Sequence, residues 1–258
     1  MPDYRVLPAG DTALVVEFGE QIDRQLSTWV LALARRLEES RLNGVIEIVP
    51  TIRSLIVHYE PLALSAATLT ARIVELMRGL HSEEGLARHW HLPACYDARI
   101  APDLHDVAAR AGITPAQVVE RHSGLTYHVY MLGFLPGMAY LGDVPDELAF
   151  PRMATPRLKV PAGSLAIATT LTCVYPVDTP AGWHLIGRSP VPFFERHPTV
   201  KTLLNPGDKV TFVPVSLREY DDLMAQAAAG TLRIEPVEEF VREEPAAEPK
   251  QRPFGAAA

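Results

Sequence analysis

Between Tyr130 and Pro192 the chain carries side chains suited to gripping a polar ligand: Arg152, Arg157 and Lys159, with Tyr140 and Trp183 in the same stretch. Arg152 and Arg157 each directly follow a proline, in Phe150-Pro151-Arg152-Met153-Ala154-Thr155-Pro156-Arg157. Guanidinium donors match carboxylate and phosphate oxygens two bonds at a time, so two such groups on proline-stiffened loops make a prearranged fork for an anion. Alternatively, they cover the surface and pair with Asp143, Asp146 or Glu147. In the run from Gly133 to Tyr140, Gly133 and Gly137 permit turns that a Cβ forbids, and Phe134 and Tyr140 can form pocket walls. A purely structural turn fits those residues equally well. Nine of the 23 prolines fall between Tyr130 and Pro192, and proline lacks the amide donor that a helix interior needs. Short strands and shaped loops are expected here.

His122 closes a segment that starts at Thr114-Pro115, with proline at the first helical position, where its missing donor costs nothing. There it could transfer a proton or complement the negative end of a helix. His89 and His91 share one face of a strand, a spacing two metal ligands could use, but no third ligand stands at a recognisable distance, and no metal is expected. Ser164, His122 and Asp178 could be written as a triad. Ser164 lies in Pro161-Ala162-Gly163-Ser164-Leu165-Ala166, however, which is not the G-x-S-x-G elbow, and such scattered residue types match by chance. No G-x-x-x-x-G-K-[ST] loop, no Gly-Lys pair and no G-x-G-x-x-G fingerprint occurs. ATP, if used, must be held by other means or by another subunit.

A chain of 258 residues with 48% hydrophobic composition can bury a real core and is long enough for two modest domains. Its net charge of −7, without a basic stripe, argues against nucleic acid as a partner. No window approaches the roughly 18 apolar residues of a membrane span, and the N-terminal residues do not read as a signal sequence, so a cytoplasmic protein is expected. Cys95 and Cys173, far apart and without metal-ligand spacing, read as reduced packing residues.

The elements that must position these side chains follow from pattern. Residues 4–10 and 13–19 read as strands around the turn Ala9-Gly10-Asp11, and 23–39 as an amphipathic helix capped by Asp23. Two further strands flank Thr51-Ile52-Arg53, and a second helix covers 65–77. This β-β-α-β-β-α order predicts an α+β sandwich over residues 1–84, with the polar segment 81–87 as linker. Residues 88–96 read as a strand, Asp103 as the cap of a short helix, and 126–132, 200–204 and 209–215 as strands. With the short strands of the proline-rich stretch they predict a small β-barrel over 85–215. Ser216 and Glu219 form a capping box for a helix that ends at Gly230, residues 231–237 could add a strand, and the acidic tail after about residue 240 is expected to be disordered.

In order and spacing, His122-Ser123, GFLPGMAYLG, PR-x3-PR, VPAGSLAIA, VYP and TPAGWHLIGRSP resemble the family of the B component of bacterial 5-oxoprolinase, over roughly residues 4–215. That family is also known as allophanate hydrolase subunit 1, or the sporulation kinase inhibitor, and it is similar to subdomains C and D of a carboxyltransferase domain. The resemblance implies an N-terminal α+β domain followed by a cyclophilin-like β-barrel. It implies a partner of the oxoprolinase C component or allophanate hydrolase subunit 2 type and, in the oxoprolinase system, a third subunit. The implied activity is ATP-dependent opening of 5-oxoproline to glutamate, by an enzyme active only with its partners. Carried onto this sequence, His122, Arg152 and Arg157 become candidate catalytic residues. Phe134, Gly137, Tyr140, Pro161, Gly163, Ser164 and Trp183 become candidate substrate-binding residues. Two alternatives remain: half of a biotin-dependent carboxyltransferase for urea or a relative, and a non-enzymatic inhibitor of a histidine kinase. The sequence departs from the family pattern at 168–173, where a glycine-bearing turn and a Gln-Thr-Gly are replaced by Ala168-Thr169-Thr170-Leu171-Thr172-Cys173. It departs also at Ala181 and across Pro93–Leu104. All three loops have gained side chains.

Overall fold

A computed structural model describes residues 2–81, 87–195 and 201–237. The first unit holds β1 (Tyr4–Pro8), β2 (Ala13–Phe18), α1 (Arg24–Ser40), β3 (Val45–Pro50), β4 (Ser54–Tyr59) and α2 (Ala66–Met77). Its four strands form one antiparallel sheet in the order β1-β2-β4-β3. Period-two alternation turns Leu14, Val16, Phe18, Leu55, Val57 and Tyr59 toward the helices. Val30, Leu33, Leu37, Leu69, Ile73 and Met77 meet them there in a single buried cluster. Asp23 caps α1 by accepting the Leu26 amide at 3.0 Å, and Ser65 caps α2 through Thr68.

The second unit is built on a seven-stranded sheet. Its elements are β5 (His89–Ala94), α3 (Leu104–Ala111), α4 (Pro115–Ser123), β6 (Thr126–Leu132), β7 (Ala139–Gly142), β8 (Arg157–Val160), β9 (Ser164–Ala168), β10 (Leu171–Val174), β11 (Thr179–Ala181), β12 (His184–Arg188), β13 (Phe194–Glu195), β14 (Lys201–Thr202), β15 (Lys209–Pro214) and α5 (Leu217–Ala228). The strand order is β12-β9-β10-β7-β6-β15-β5, with β15 and β5 parallel, while β8 and β11 form a separate ribbon. The sheet curls far enough for its two edges to touch: just beyond β5, Cys95 exchanges two backbone hydrogen bonds of 2.8 Å with Arg188 of β12. It is a curled half-barrel closed at one point, which is the form the expected barrel takes.

Alternation divides the sheet into two faces. Tyr127, Val129, Leu141, Leu165, Ile167, Ile186, Val210 and Phe212 share a core with Val107 of α3 and Val118 of α4. Tyr130, Ala166, Ala168, Cys173 and Leu185 turn the other way and pack with Val160 of the ribbon, Met138 and Trp183. Where the two units meet, Ser27 Oγ lies 2.9 Å from His128 Nε2 in a buried contact. Gly207, at φ 93°, lets the turn before β15 approach Leu31 so closely that a Cβ would sit 3.1 Å from it.

Three expectations need correction. Asp103 occupies the N-cap position of α3 but makes no capping bond, because its carboxylate is engaged elsewhere. Residues 231–237 add no strand; Pro236 has no amide to donate, and the pairing is a single bridge from Val237 to His89. The expected strand at 200–204 is reduced to Lys201–Thr202 among the described residues. The interior of the expected linker and the tail after residue 240 lie outside the described residues. No described helix is long and apolar enough to cross a membrane.

Candidate functional site

Trp183, immediately before β12, and Tyr140, on β7, bring two rings together on the face of the sheet away from α3 and α4. The rings meet edge to face, with centroids 5.9 Å apart at 70°. The Arg152 guanidinium carbon lies 5.7 Å from the centre of the Trp183 ring, within range of an attraction between cation and π face. The Met153 amide donates to the Gly182 carbonyl at 2.7 Å, which pins the loop carrying Arg152 onto the strand entry carrying Trp183. Trp183 is buried and Tyr140 half-buried, whereas Arg152 is exposed and has no carboxylate partner among the described residues. Beneath them Cys173 is completely enclosed, and burial pushes its thiol up, which makes it an unreactive packing group. Burial likewise raises the Tyr140 phenol. The result is one uncommitted cation beside two aromatic walls.

Arg157 does not join Arg152 in a fork. One of its nitrogens pairs with Asp103 Oδ1 and another lies 2.8 Å from Met153 Sδ. Asp103 Oδ2 in turn accepts the Leu185 amide at 2.6 Å. Arg157 thus ties the ribbon to the start of α3 and to β12. Nor do the carboxylates first considered neutralise these arginines: Glu147 pairs with Arg121, and Asp143 with Arg24 at 3.3 Å. Lys159 is held by Asp178 at 2.9 Å.

His122 lies in the core, stacked on Phe212 with centroids 5.2 Å apart and completely buried. The Thr172 hydroxyl sits 3.1 Å from the Ala166 carbonyl and 2.9 Å from His122 Nε2. Its single proton goes to the carbonyl, so Nε2–H donates to Thr172 and Nδ1 accepts the Tyr96 hydroxyl at 2.9 Å. Burial lowers the imidazole to about 3, so it stays neutral. His122 is therefore neither a charged complement to the end of α4 nor exposed to a ligand on the sheet surface. The Ser164–His122–Asp178 arrangement does not assemble either. His122 Nε2 faces Thr172, and Asp178 accepts the Ala162 amide at 2.8 Å.

The candidate loop glycines serve close backbone packing. Gly163 has φ 79°, donates its amide to the Tyr175 carbonyl at 2.7 Å, and would carry a Cβ only 2.5 Å from the Ser189 carbonyl. Gly137, also at φ 79°, would carry one 2.6 Å from the Phe193 carbonyl. Ser164 is buried at the start of β9, and Pro161 accepts its amide at 3.2 Å. Phe134 stands apart, 68% exposed and in the left-handed region at φ 68°. His89 and His91 do face each other, with ring centroids 4.7 Å apart, and His89 bonds Thr211. The described residues hold no cluster of three or more potential metal ligands.

One residue was not singled out in advance. Arg188 donates to the Ala162 carbonyl at 2.6 Å, bracing the loop of Pro161 and Gly163, and its ε-nitrogen is buried without a partner among the described residues. Its place in Gly187-Arg188-Ser189-Pro190, directly after an apolar strand pattern, was the available signal.

Residues 4–204 match the family described as carboxyltransferase domain, subdomain C and D. The chain belongs to that family. It is 36% identical over 231 residues to the B component of 5-oxoprolinase from Bacillus subtilis (strain 168), covering 84% of this chain and 95% of the relative. The crystal structure of TTHA0988 matches with a TM-score of 0.70 at 35% identity over 79% of this chain, which spans only 40% of TTHA0988. The urea amidolyase of K. lactis matches at a TM-score of 0.76 over 92% of this chain and 16% of its own length; at 19% identity this likeness concerns the fold alone. Thr169, within the 168–173 stretch, holds its backbone in the left-handed region at φ 51°.

Proposed function

We propose that the chain is a subunit of a hetero-oligomeric 5-oxoprolinase-type amidohydrolase, and that its Arg152–Trp183–Tyr140 face holds the carboxylate and ring of 5-oxoproline or a related small cyclic amide. The carrying observation is an exposed guanidinium without a carboxylate partner, fixed beside two aromatic rings. A small carboxylate with an apolar ring needs this pair of contacts: a charge-assisted hydrogen bond at one end and a ring wall along the other. The relative named as a 5-oxoprolinase component supports the same reading.

Opening such a ring adds water to the lactam carbonyl carbon, breaks the carbon–nitrogen bond and leaves the proton on the released amine. In an ATP-coupled system the nucleotide activates the carbonyl. This face does not fit a nucleotide triphosphate, since one guanidinium cannot balance its charge and Arg157 is consumed by Asp103. Nucleotide binding therefore belongs to a partner subunit in this proposal. The role of this chain is to bind and orient the substrate, and the buried neutral His122 takes no part in proton transfer. Reconstitution with the partner subunits tests it: ATP-dependent glutamate formation from 5-oxoproline should require this chain, and turnover that persists without it contradicts the proposal.

The shared fold with urea amidolyase and the carboxyltransferase description favour a second reading, carboxyl transfer from a biotin carrier to urea or a relative. Incubation with a carboxylated carrier separates the two. Carboxylation of urea without opening of 5-oxoproline would favour the second reading.

A further inference from the structure

A cleft of about 590 Å³ lies between α1 and the side of the second unit formed by β6 and the turn before β15. Its size falls within the range of small-ligand and peptide-side-chain sites. Arg24, Arg35 and Lys209 line it, against two carboxylates, Glu38 and Asp208. Asp208 is turned away and saturated: it accepts from Arg88 at 2.6 and 3.1 Å, from the Trp90 indole at 3.0 Å and from the Asn205 amide at 2.9 Å. Arg35 is exposed, and no carboxylate pairs with it among the described residues. Among the described residues Arg24 pairs only with Asp143, at 3.3 Å, and both side chains are about half exposed, so water and salt exchange with it readily. Arg24 and Arg35 are eleven residues apart on α1, which puts about 16 Å of cationic groove between them. Leu31 and Ala34, from the same helix, give that groove an apolar strip. The lining thus carries one more cation than carboxylate in a chain of net charge −7.

The occupant is indicated by where the described chain stops. Val237 donates its amide to the His89 carbonyl at 2.7 Å in an antiparallel bridge, so the chain heads from β5 toward Ala87. Ala87 lines the cleft, and Lys209 is the register partner of His89. The next residues are Glu238-Glu239-Phe240-Val241-Arg242-Glu243-Glu244-Pro245-Ala246-Ala247-Glu248, five acids and one base with an apolar pair between them. Eleven residues reach at most about 36–40 Å, more than the length of the groove.

We propose that the cleft between the two units is the docking groove for this chain's own acidic segment 238–248, with glutamates against Arg24, Arg35 and Lys209 and Phe240-Val241 against Leu31 and Ala34. Docked in this way, the segment braces the first unit against the sheet of the second. The inference is independent of the substrate site, because none of these residues belongs to it.

Paramagnetic relaxation on the full-length chain tests it. Cys95 and Cys173 are buried, so a nitroxide on Ala247→Cys labels one position. Amides of α1 from Thr28 to Glu38 should lose at least half their intensity at low salt. They should recover in about 0.5 M salt, where screening reaches a few ångströms, and in Arg35→Glu. Combining Arg35→Glu with Glu239→Arg and Glu243→Arg should restore the broadening. Undisturbed α1 amides, or broadening indifferent to salt and charge reversal, would overturn the proposal. So would broadening that appears only when labelled and unlabelled chains are mixed, because the occupant would then be a second copy.

Discussion

Arg157 and Asp103 form an ion pair that joins the β8–β11 ribbon to the first turn of α3, and the same carboxylate accepts the Leu185 amide from β12. Both side chains are largely shielded, and removal of one partner strands the other charge together with a backbone donor. Asp103→Ala is therefore expected to lower stability by about 3 kcal/mol. Urea denaturation measures this; a loss below about 1 kcal/mol would show that the pair is a surface contact.

His122 predicts a pH signature. The unfolded imidazole takes up a proton near 6.5, while the buried one resists until about 3, so between these values the unfolded state binds more protons. Stability conferred by the neutral ring is fully present above 6.5 and falls as the pH drops, by about 1.4 kcal/mol per pH unit for one proton. His122→Phe should cost about 2 kcal/mol at neutral pH, because Tyr96 and Thr172 lose their partner. The gap between variant and parent should narrow as the pH falls from 6.5 to 4.5. Denaturation midpoints across that window check it, and a constant gap would mean that the ring is hydrated.

Thr169 occupies the left-handed region at φ 51°, a conformation costly for a β-branched residue. Its amide bond to the Phe150 carbonyl, at 2.6 Å, does not involve the side chain. Thr169→Gly is expected to raise stability by about 0.5–1 kcal/mol, visible as a higher thermal midpoint. A lower midpoint would contradict the assigned strain.

Gly137→Ala and Gly163→Ala should each cost more than about 2 kcal/mol, since each new Cβ would press on a carbonyl oxygen from a left-handed backbone. Calorimetry of the isolated chain separates this packing role from substrate contact. Variants with an unchanged midpoint but impaired turnover would assign these glycines to the ligand instead.

Much of the framework was legible in the sequence because it rests on local signals. Asp23, Ser65, Thr114 and Ser216 mark four helix starts, and all four accept the capping amide. Alternation in 54–59 marks the inward face of that strand. The partners of the site residues were not legible, because they come from long-range closure. Asp103 and Arg157 are brought together only when the sheet has curled, and no neighbour of Asp103 in the chain distinguishes a cap from an ion-pair partner. His122 reads as functional by its residue type, but Phe212, Tyr96 and Thr172, which enclose it, arrive from three separate segments. The proline-rich stretch was correctly expected to carry no long helix among its described residues, yet spacing alone could not show that Arg152 faces Trp183 while Arg157 turns to Asp103.

The most direct measurement of the central claim is kcat/KM for 5-oxoproline in the reconstituted complex with Arg152→Ala and Arg152→Lys, alongside thermal midpoints of both chains. A substrate-holding Arg152 predicts a loss of about a hundredfold or more for Arg152→Ala, corresponding to about 2.7 kcal/mol, with partial retention in Arg152→Lys and little change in midpoint. Unchanged kcat/KM in Arg152→Ala, in a complex that assembles normally, would show that the Arg152–Trp183–Tyr140 face does not hold the substrate.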